Sequence, residues 1–435
     1  MKRLLLVVGA AVLGTSVAVF LVLQANADGD FWVPAPSSAE GSLVLDVHGA
    51  TIEQLPAKCE NSRYPYFCQY VRSELGKIDK SLLRRKGLTI KTTLDQRMQQ
   101  ASQQAINTYV SHDDKVVATQ AMIIPGSGEI RAMAISRGLA KRSGHQQGST
   151  AMVYTLAAAL ESGMRYEDGF PASEEYRASD YVTFKDCKGQ SVADPSHTVR
   201  NHKPSSSVFT TLQKGTSGEV NTFFVRLQEK VGLCQTVQMA RRLGLSRTDG
   251  AKLQEVETFT LGVNESDPVI VANSYATLAA RGLRCTPRSI TEIWAGSDLL
   301  RDNPRRCEQV LDPAVADAVT GVLSTGPTRA FLNSIDRDVA AMPGTTDNFA
   351  SAWYAGYTPS LASAVSLGVD PRPGEWGKLT NVSIGGRHYP QVYGVMVPGP
   401  IWKTSMMAAL ALTPQTSFVK ADASRFGGCQ NNCRP

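Results

Sequence analysis

The feature that most constrains the fold is a strand pattern divided between two distant parts of the chain. From Val116 to Ala134 apolar residues alternate with others, with Gly126 and Gly128 in between. This predicts a hairpin, two strands at the edge of an antiparallel sheet. The same period returns only late in the chain, in Ala350 to Tyr357 and Ala362 to Val369. Between these blocks, Thr155 to Leu160, Phe223 to Val231, Val237 to Leu243 and Val269 to Ala280 carry helical spacing. A sheet assembled from both ends around a helical insertion is an α+β sandwich of a central antiparallel sheet and a helical lobe. No internal repeat is present.

Composition is compatible with one large domain. The chain has 435 residues, 42% of them hydrophobic and 19% charged, ordinary proportions for a folded protein. The net charge of +6 is dispersed and forms no basic, aromatic-studded stripe, so nucleic acid is not an expected partner. Met1-Lys2-Arg3 followed by the apolar run from Leu4 to Leu23 has the form of an export signal with its positive end inside. The run suits a hydrocarbon core of roughly 30 Å, which favours a retained anchor in the cell membrane. Ala25-Asn26-Ala27 has the small-x-small form of a cleavage site, which leaves secretion as the alternative. The expected organisation is a signal anchor or signal peptide over 1–27, a linker and small cap segment over 28–82, the main domain over 83–415, and a tail over 416–435 that is disordered after Ser417 apart from its cysteine pair.

The eight cysteines, Cys59, Cys68, Cys187, Cys234, Cys285, Cys307, Cys429 and Cys433, are even in number on an exported chain. Disulfides follow from an oxidising compartment. Sequence leaves the connectivity open; nearest-neighbour pairing is favoured because each pair closes a compact loop. No Cys-x-x-Cys pair exists and histidine is scarce, so no metal site is expected, and no cofactor.

Three short stretches carry the chemistry: Gly148-Ser149-Thr150-Ala151-Met152, Glu219-Val220-Asn221-Thr222 and Met342-Pro343-Gly344-Thr345-Thr346-Asp347. Their order and form resemble the S-x-x-K, S-x-N and K-T-G motifs of serine transpeptidases, with both lysines replaced by methionine. The flanking text extends the likeness. Thr92-Thr93-Leu94-Asp95-Gln96, Gly128-Glu129-Ile130-Arg131-Ala132-Met133, Ala352-Trp353-Tyr354-Ala355-Gly356-Tyr357 and Pro398-Gly399-Pro400-Ile401-Trp402-Lys403 are similar to the transpeptidase region of bifunctional, class A penicillin-binding proteins. The resemblance runs from about Leu83 to about Leu412. It implies a serine transpeptidase/β-lactamase-like fold behind an N-terminal apolar anchor. The stretch before Gly87 is too short for the glycosyltransferase domain that precedes this region in bifunctional relatives, so glycan polymerisation is not expected.

The resemblance places Ser149 at the nucleophile position, at the start of a buried helix whose dipole favours a developing oxyanion; read from the residues alone, it is an N-cap serine. In the family, a lysine three residues on takes the serine proton. Met152 offers only a thioether, and general-base help is commonly worth roughly 10²–10⁴-fold. The second motif normally supplies a hydroxyl that shuttles the proton and an asparagine that binds the substrate amide. Asn221 remains, while Glu219 replaces the hydroxyl. Glu219, with His145, is the candidate substitute base, against the simpler reading that both face solvent in an emptied cleft. In the third motif, Met342 and Pro343 remove the lysine and threonine that bind a substrate carboxylate. Gly344, Thr345 and Thr346 remain, with the Thr345 backbone amide at the oxyanion-donor position. Pro343 lacks an N–H, which an edge strand tolerates.

Losing both the base and the carboxylate clamp removes activation and substrate binding together. The expectation is a cell-envelope protein related to peptidoglycan transpeptidases that is catalytically inactive and acts as a binding or scaffold module. Its expected partners are peptidoglycan stem peptides or cell-wall synthesis proteins, with membrane association through the N-terminal segment. The alternatives are a D,D-transpeptidase or carboxypeptidase acylated at Ser149, which cross-links peptidoglycan and binds penicillin, and a β-lactam sensor.

Overall fold

The two halves of the split strand pattern meet in one five-stranded antiparallel sheet. In the computed structural model, β4 (Val116–Ile123) and β5 (Ile130–Ile135) form the early hairpin, and β8 (Ala340–Thr345), β9 (Ser351–Tyr357) and β10 (Ala362–Val369) complete the sheet in the order β8-β9-β10-β4-β5. The described residues are 41–435 outside 139–143, 178–183, 195, 203–208, 327–328, 333–334, 370–376, 412 and 435, together with the backbone of 24–25 and 31–32. The apolar run from Leu4 to Leu23 lies outside them. No helix among the described residues is long and apolar enough to cross a membrane. Residues 40–435 form one compact unit.

Strand alternation sorts the core into two layers. Val116, Ala118 and Met122 face one apolar cluster, whereas Ala121 and Ile123 face the other. The first layer packs against α2 (Gln96–Tyr109) and α9 (Pro398–Leu410), whose Ile401, Trp402 and Met406 are fully buried. Burying side chains of this size stabilises by about 1.5–3 kcal/mol each. The second layer packs against α7 (Pro268–Ala279), beyond which lies the helical lobe of α3 (Met152–Glu161), α4 (Leu212–Ser217), α5 (Asn221–Val231), α6 (Leu233–Arg242) and α8 (Pro313–Ser324). The four segments read as helical in the sequence fall within α3, α5, α6 and α7, allowing a residue at the ends.

A second five-stranded sheet is an addition to the expected architecture. It has the order β7-β6-β3-β1-β2, made from β1 (Leu43–Leu45), β2 (Thr51–Gln54), β3 (Leu88–Thr92), β6 (Ile290–Ala295) and β7 (Asp298–Asp302), with β1 and β3 parallel and the other pairs antiparallel. α1 (Pro65–Ile78) buries Tyr66, Phe67, Val71 and Leu75 in the cluster that includes Val44, Leu88 and Ile90. The Glu74 carboxylate on α1 accepts hydrogen bonds from Ser289 and Asn303, which bracket β6 and β7.

All four disulfides follow nearest-neighbour pairing: Cys59–Cys68, Cys187–Cys234, Cys285–Cys307 and Cys429–Cys433. The tail departs from the disorder expected of it. Phe426, at the end of the short α10 (Ala423–Phe426), is buried, and its carbonyl accepts from Tyr166 N. The buried Asp168 carboxylate accepts from Gln430 N and Asn431 N, both at 2.7 Å, and from Arg165 N at 2.9 Å. One aromatic anchor and one buried anion that collects backbone N–H groups give the tail the partners that composition concealed.

Candidate functional site

The first motif is a 3₁₀ turn, Gly148–Ala151, that feeds directly into α3. Gly148 sits at φ +57°, and a Cβ there would lie 2.7 Å from the backbone N and C of Thr345. Only glycine permits this approach, and it sets the serine turn against the end of β8. The contact is reciprocal, because a Cβ on Gly344 would strike the Gln147 carbonyl and Thr150. Gly394 closes in behind, where a Cβ would lie 2.7 Å from Gly344 O, and its N–H donates to Thr345 Oγ1 at 3.1 Å. The first and third motifs are therefore held together by backbone contact.

Ser149 is 4% exposed, and its hydroxyl has no hydrogen-bond partner among the described residues. The turn around it is fixed by neighbours. Thr150 Oγ1 donates to Gln147 O at 2.8 Å, and Tyr275 OH donates to Thr150 O at 2.9 Å. Burial pushes the Tyr275 hydroxyl far above its ordinary pKa, so it serves as a neutral donor.

Met152 is fully buried and Met342 is 2% exposed, and both belong to the same apolar cluster, with Trp353 and Phe223. Met342 faces the helical lobe because its strand neighbour Ala341 faces the opposite layer. Pro343 is buried opposite Tyr354, and β8 is the edge strand of its sheet. Its missing N–H therefore breaks no interior ladder.

The second motif lies at the α4–α5 junction. Glu219 occupies the left-handed region at φ +51°. Val220 N donates to Gly215 O and Glu219 N to Thr216 O, so Glu219 terminates α4 where glycine is the usual residue. Asn221 is 1% exposed; its Nδ2 donates to Arg200 O at 3.0 Å, and its Oδ1 has no partner among the described residues. Ser217 donates to Lys214 O from the end of α4. α5 packs against α3, bringing the asparagine helix onto the serine helix. His145 does not face solvent as the simpler sequence reading had it. It is half-buried against β10, with Nδ1 3.3 Å from Ser366 Oγ. Thr346 is buried and exchanges hydrogen bonds with the Ser351 backbone, closing the β8–β9 turn.

Several neighbours had no sequence signal. Asn201 accepts from Thr222 N at 3.0 Å and, with Arg200, holds the start of α5 from a segment distant in sequence. Glu257 is buried beside His197 at 3.5 Å, and burial raises its carboxyl above the usual range. Tyr393 packs edge-on against Phe349 and His202 beyond the third motif. Among the described residues the His/Cys/Asp/Glu group at ligand spacing is Asp168 with Cys429 and Cys433, and that cysteine pair is joined in a disulfide.

A buried serine turn pressed on an edge strand, beneath a helical lobe and a five-stranded sheet, defines the transpeptidase class of α+β fold. The chain is related to the penicillin-binding proteins, and its structural neighbours are their transpeptidase domains. It is 28% identical over 376 residues to penicillin-binding protein 1A of Mycobacterium tuberculosis, covering 80% of this chain and 43% of the relative. It is 25% identical over 391 residues to penicillin-binding protein 2D of Bacillus subtilis, covering 84% and 52%. The solved penicillin-binding protein PonA1 from Mycobacterium tuberculosis superposes with a TM-score of 0.68 at 25% identity, covering 85% of this chain and 97% of that structure. No protein-family model matches the chain. The chain spans about half the length of the curated relatives it matches.

Proposed function

We propose that the chain is a catalytically inactive transpeptidase-like protein of the cell envelope, acting as a binding or scaffold module for peptidoglycan or its synthesis proteins. The observation that carries this reading is the joint burial of Met152 and Met342 in one apolar cluster. A nucleophilic serine needs a proton acceptor within hydrogen-bond reach, and the Ser149 hydroxyl has none among the described residues. Each lost function, base and clamp, is worth about 3 kcal/mol of transition-state stabilisation, so acylation is slowed by several orders of magnitude. Export and anchoring rest on the N-terminal apolar run.

One observation favours a second reading, slow acylation by β-lactam, either as a sensor or as a residual D,D-transpeptidase or carboxypeptidase. The Gly148–Thr345 and Gly344–Gln147 approaches hold the serine turn against the end of β8, where the resemblance puts the Thr345 amide as oxyanion donor. The related PonA1 has been solved in complex with penicillin V, which makes a fluorescent penicillin the natural probe. The full chain and a Ser149→Ala variant are incubated with it and followed by gel and intact mass. Absence of an adduct after hours is the expected result. Stoichiometric labelling lost in Ser149→Ala would overturn the inactive reading.

A further inference from the structure

A groove of about 500 Å³ opens on the helical lobe, between the end of α6, the 251–255 loop and the turn that carries Cys187. Its floor is aliphatic, made by Leu245 and Leu253, which are 4% and 7% exposed. Its rim is cationic. Lys188 and Lys252 are exposed, and neither ammonium has an ion-pair partner among the described residues. Arg241 is the third cation, and the single lining carboxylate, Glu255, is consumed internally. Glu255 accepts from Arg241 Nη2 at 2.8 Å and from Cys187 N at 2.7 Å.

The walls are braced independently of any ligand. The Cys187–Cys234 disulfide ties the turn to α6. Asp186 Oδ1 accepts from Lys188 N and Gln190 N, which fixes the turn that presents Lys188. On the other side, the Asn264 amide accepts from Gln254 N at 2.7 Å and donates to Gln254 O at 3.2 Å, pinning the loop between Lys252 and Glu255. A pre-formed groove avoids much of the ordering cost of binding. Its volume lies within the range typical of ligand sites.

We propose that this groove is a docking site for an acidic peptide segment of a partner protein, one that places an aliphatic side chain on the Leu245–Leu253 floor between flanking carboxylates. Charge complementarity selects the occupant. The Arg241–Glu255 pair offsets itself, and the two exposed ammonium groups of Lys188 and Lys252 attract carboxylates and steer an anionic segment without requiring a buried ion pair. The aliphatic floor separates this site from a surface that merely attracts anions. The inference does not depend on whether Ser149 reacts.

The test uses the full chain and a fluorescein-labelled peptide, Asp-Glu-Leu-Leu-Asp-Glu, followed by fluorescence anisotropy. The wild-type chain is expected to bind saturably and more weakly as salt rises. Lys188→Glu combined with Lys252→Glu is expected to reduce affinity at least about tenfold. Both residues are exposed, so an unchanged thermal midpoint identifies a folded variant. Replacing both peptide leucines by serine is expected to cost about tenfold or more, because their apolar surface then stays in water. Failure of the wild-type chain to bind, equal binding by the charge-reversed variant, or equal binding of the leucine-free peptide would each overturn the proposal.

Discussion

Placing a lysine at position 152, three residues after Ser149, tests whether the position is an open cleft or a packed core. Met152 is fully buried in an apolar cluster that includes Met342, Trp353 and Phe223. In Met152→Lys the ammonium enters that apolar cluster. Desolvation of this kind depresses a lysine pKa by roughly 3–4 units. At about 1.36 kcal/mol per unit, the folded state then loses roughly 4–5 kcal/mol at neutral pH. The sign follows from linkage. The charged form is the disfavoured one, so the loss is full below the folded-state pKa and shrinks as pH rises towards the unfolded value of about 10.4. Denaturant unfolding of variant and wild type at about pH 6 and about pH 9.5 measures this, with Met152→Leu as a control expected to cost under about 1.5 kcal/mol. A Met152→Lys variant as stable as wild type at both pH values would show that the position has access to water or an anionic partner. The packed-core reasoning would then be wrong. Penicillin labelling gained by that variant would further show that the base alone was missing.

Glu219 holds α4's termination at φ +51°, so Glu219→Gly should exceed Glu219→Ala in stability by about 1 kcal/mol, read from denaturant midpoints. Phe426→Ala, which removes the buried anchor of the tail, should cost about 3–5 kcal/mol and expose residues 418–434 to limited proteolysis; resistance equal to wild type would deny the tail its packed state. Burial raises the Asp267 carboxyl above its usual range although it accepts Ile270 N as the cap of α7. Its burial therefore favours the protonated form, an advantage present below the unfolded pKa and lost as pH rises through the raised folded value. Asp267→Asn keeps the acceptor and removes the charge, so it should match wild type near about pH 3.5 and be the more stable near about pH 8, as measured by thermal midpoints across that range.

The central sheet was legible because its strands are long, largely apolar runs, as in Val116–Ile123 and Ala362–Val369, with Gly126 and Gly128 marking the turn of the early hairpin. Helices α3, α5, α6 and α7 were legible for the complementary reason, a sustained apolar stripe, whereas α4 and α8 were not read in the sequence. The second sheet was not. Leu43–Leu45 is only 3 residues long, and Leu88–Thr92 finds its antiparallel partner in Ile290–Ala295, far along the chain. Alternation identifies such a strand without identifying its neighbour. The tail misled for a similar reason, since one phenylalanine and the distant Asp168 outweigh a polar composition.

The site divides along the same line. Met152 and Met342, at the positions where the resemblance expects lysine, are visible in the letters, whereas the backbone contacts between the serine turn and the end of β8 appear only in three dimensions. Gly148 against Thr345, Gly344 against Gln147 and Gly394 against Gly344 all require the absence of a Cβ. These contacts fix where the serine turn and the edge strand meet, and none depends on the chemistry of residues 152, 342 or 343. The side chain at 152 can therefore change without disturbing the frame, while Gly148→Ala would drive a Cβ to 2.7 Å from the Thr345 backbone and separate the two motifs. The backbone frame and the side-chain chemistry of the three motifs are thus set by different residues, so substitutions at 152, 342 and 343 are separable from substitutions at Gly148, Gly344 and Gly394.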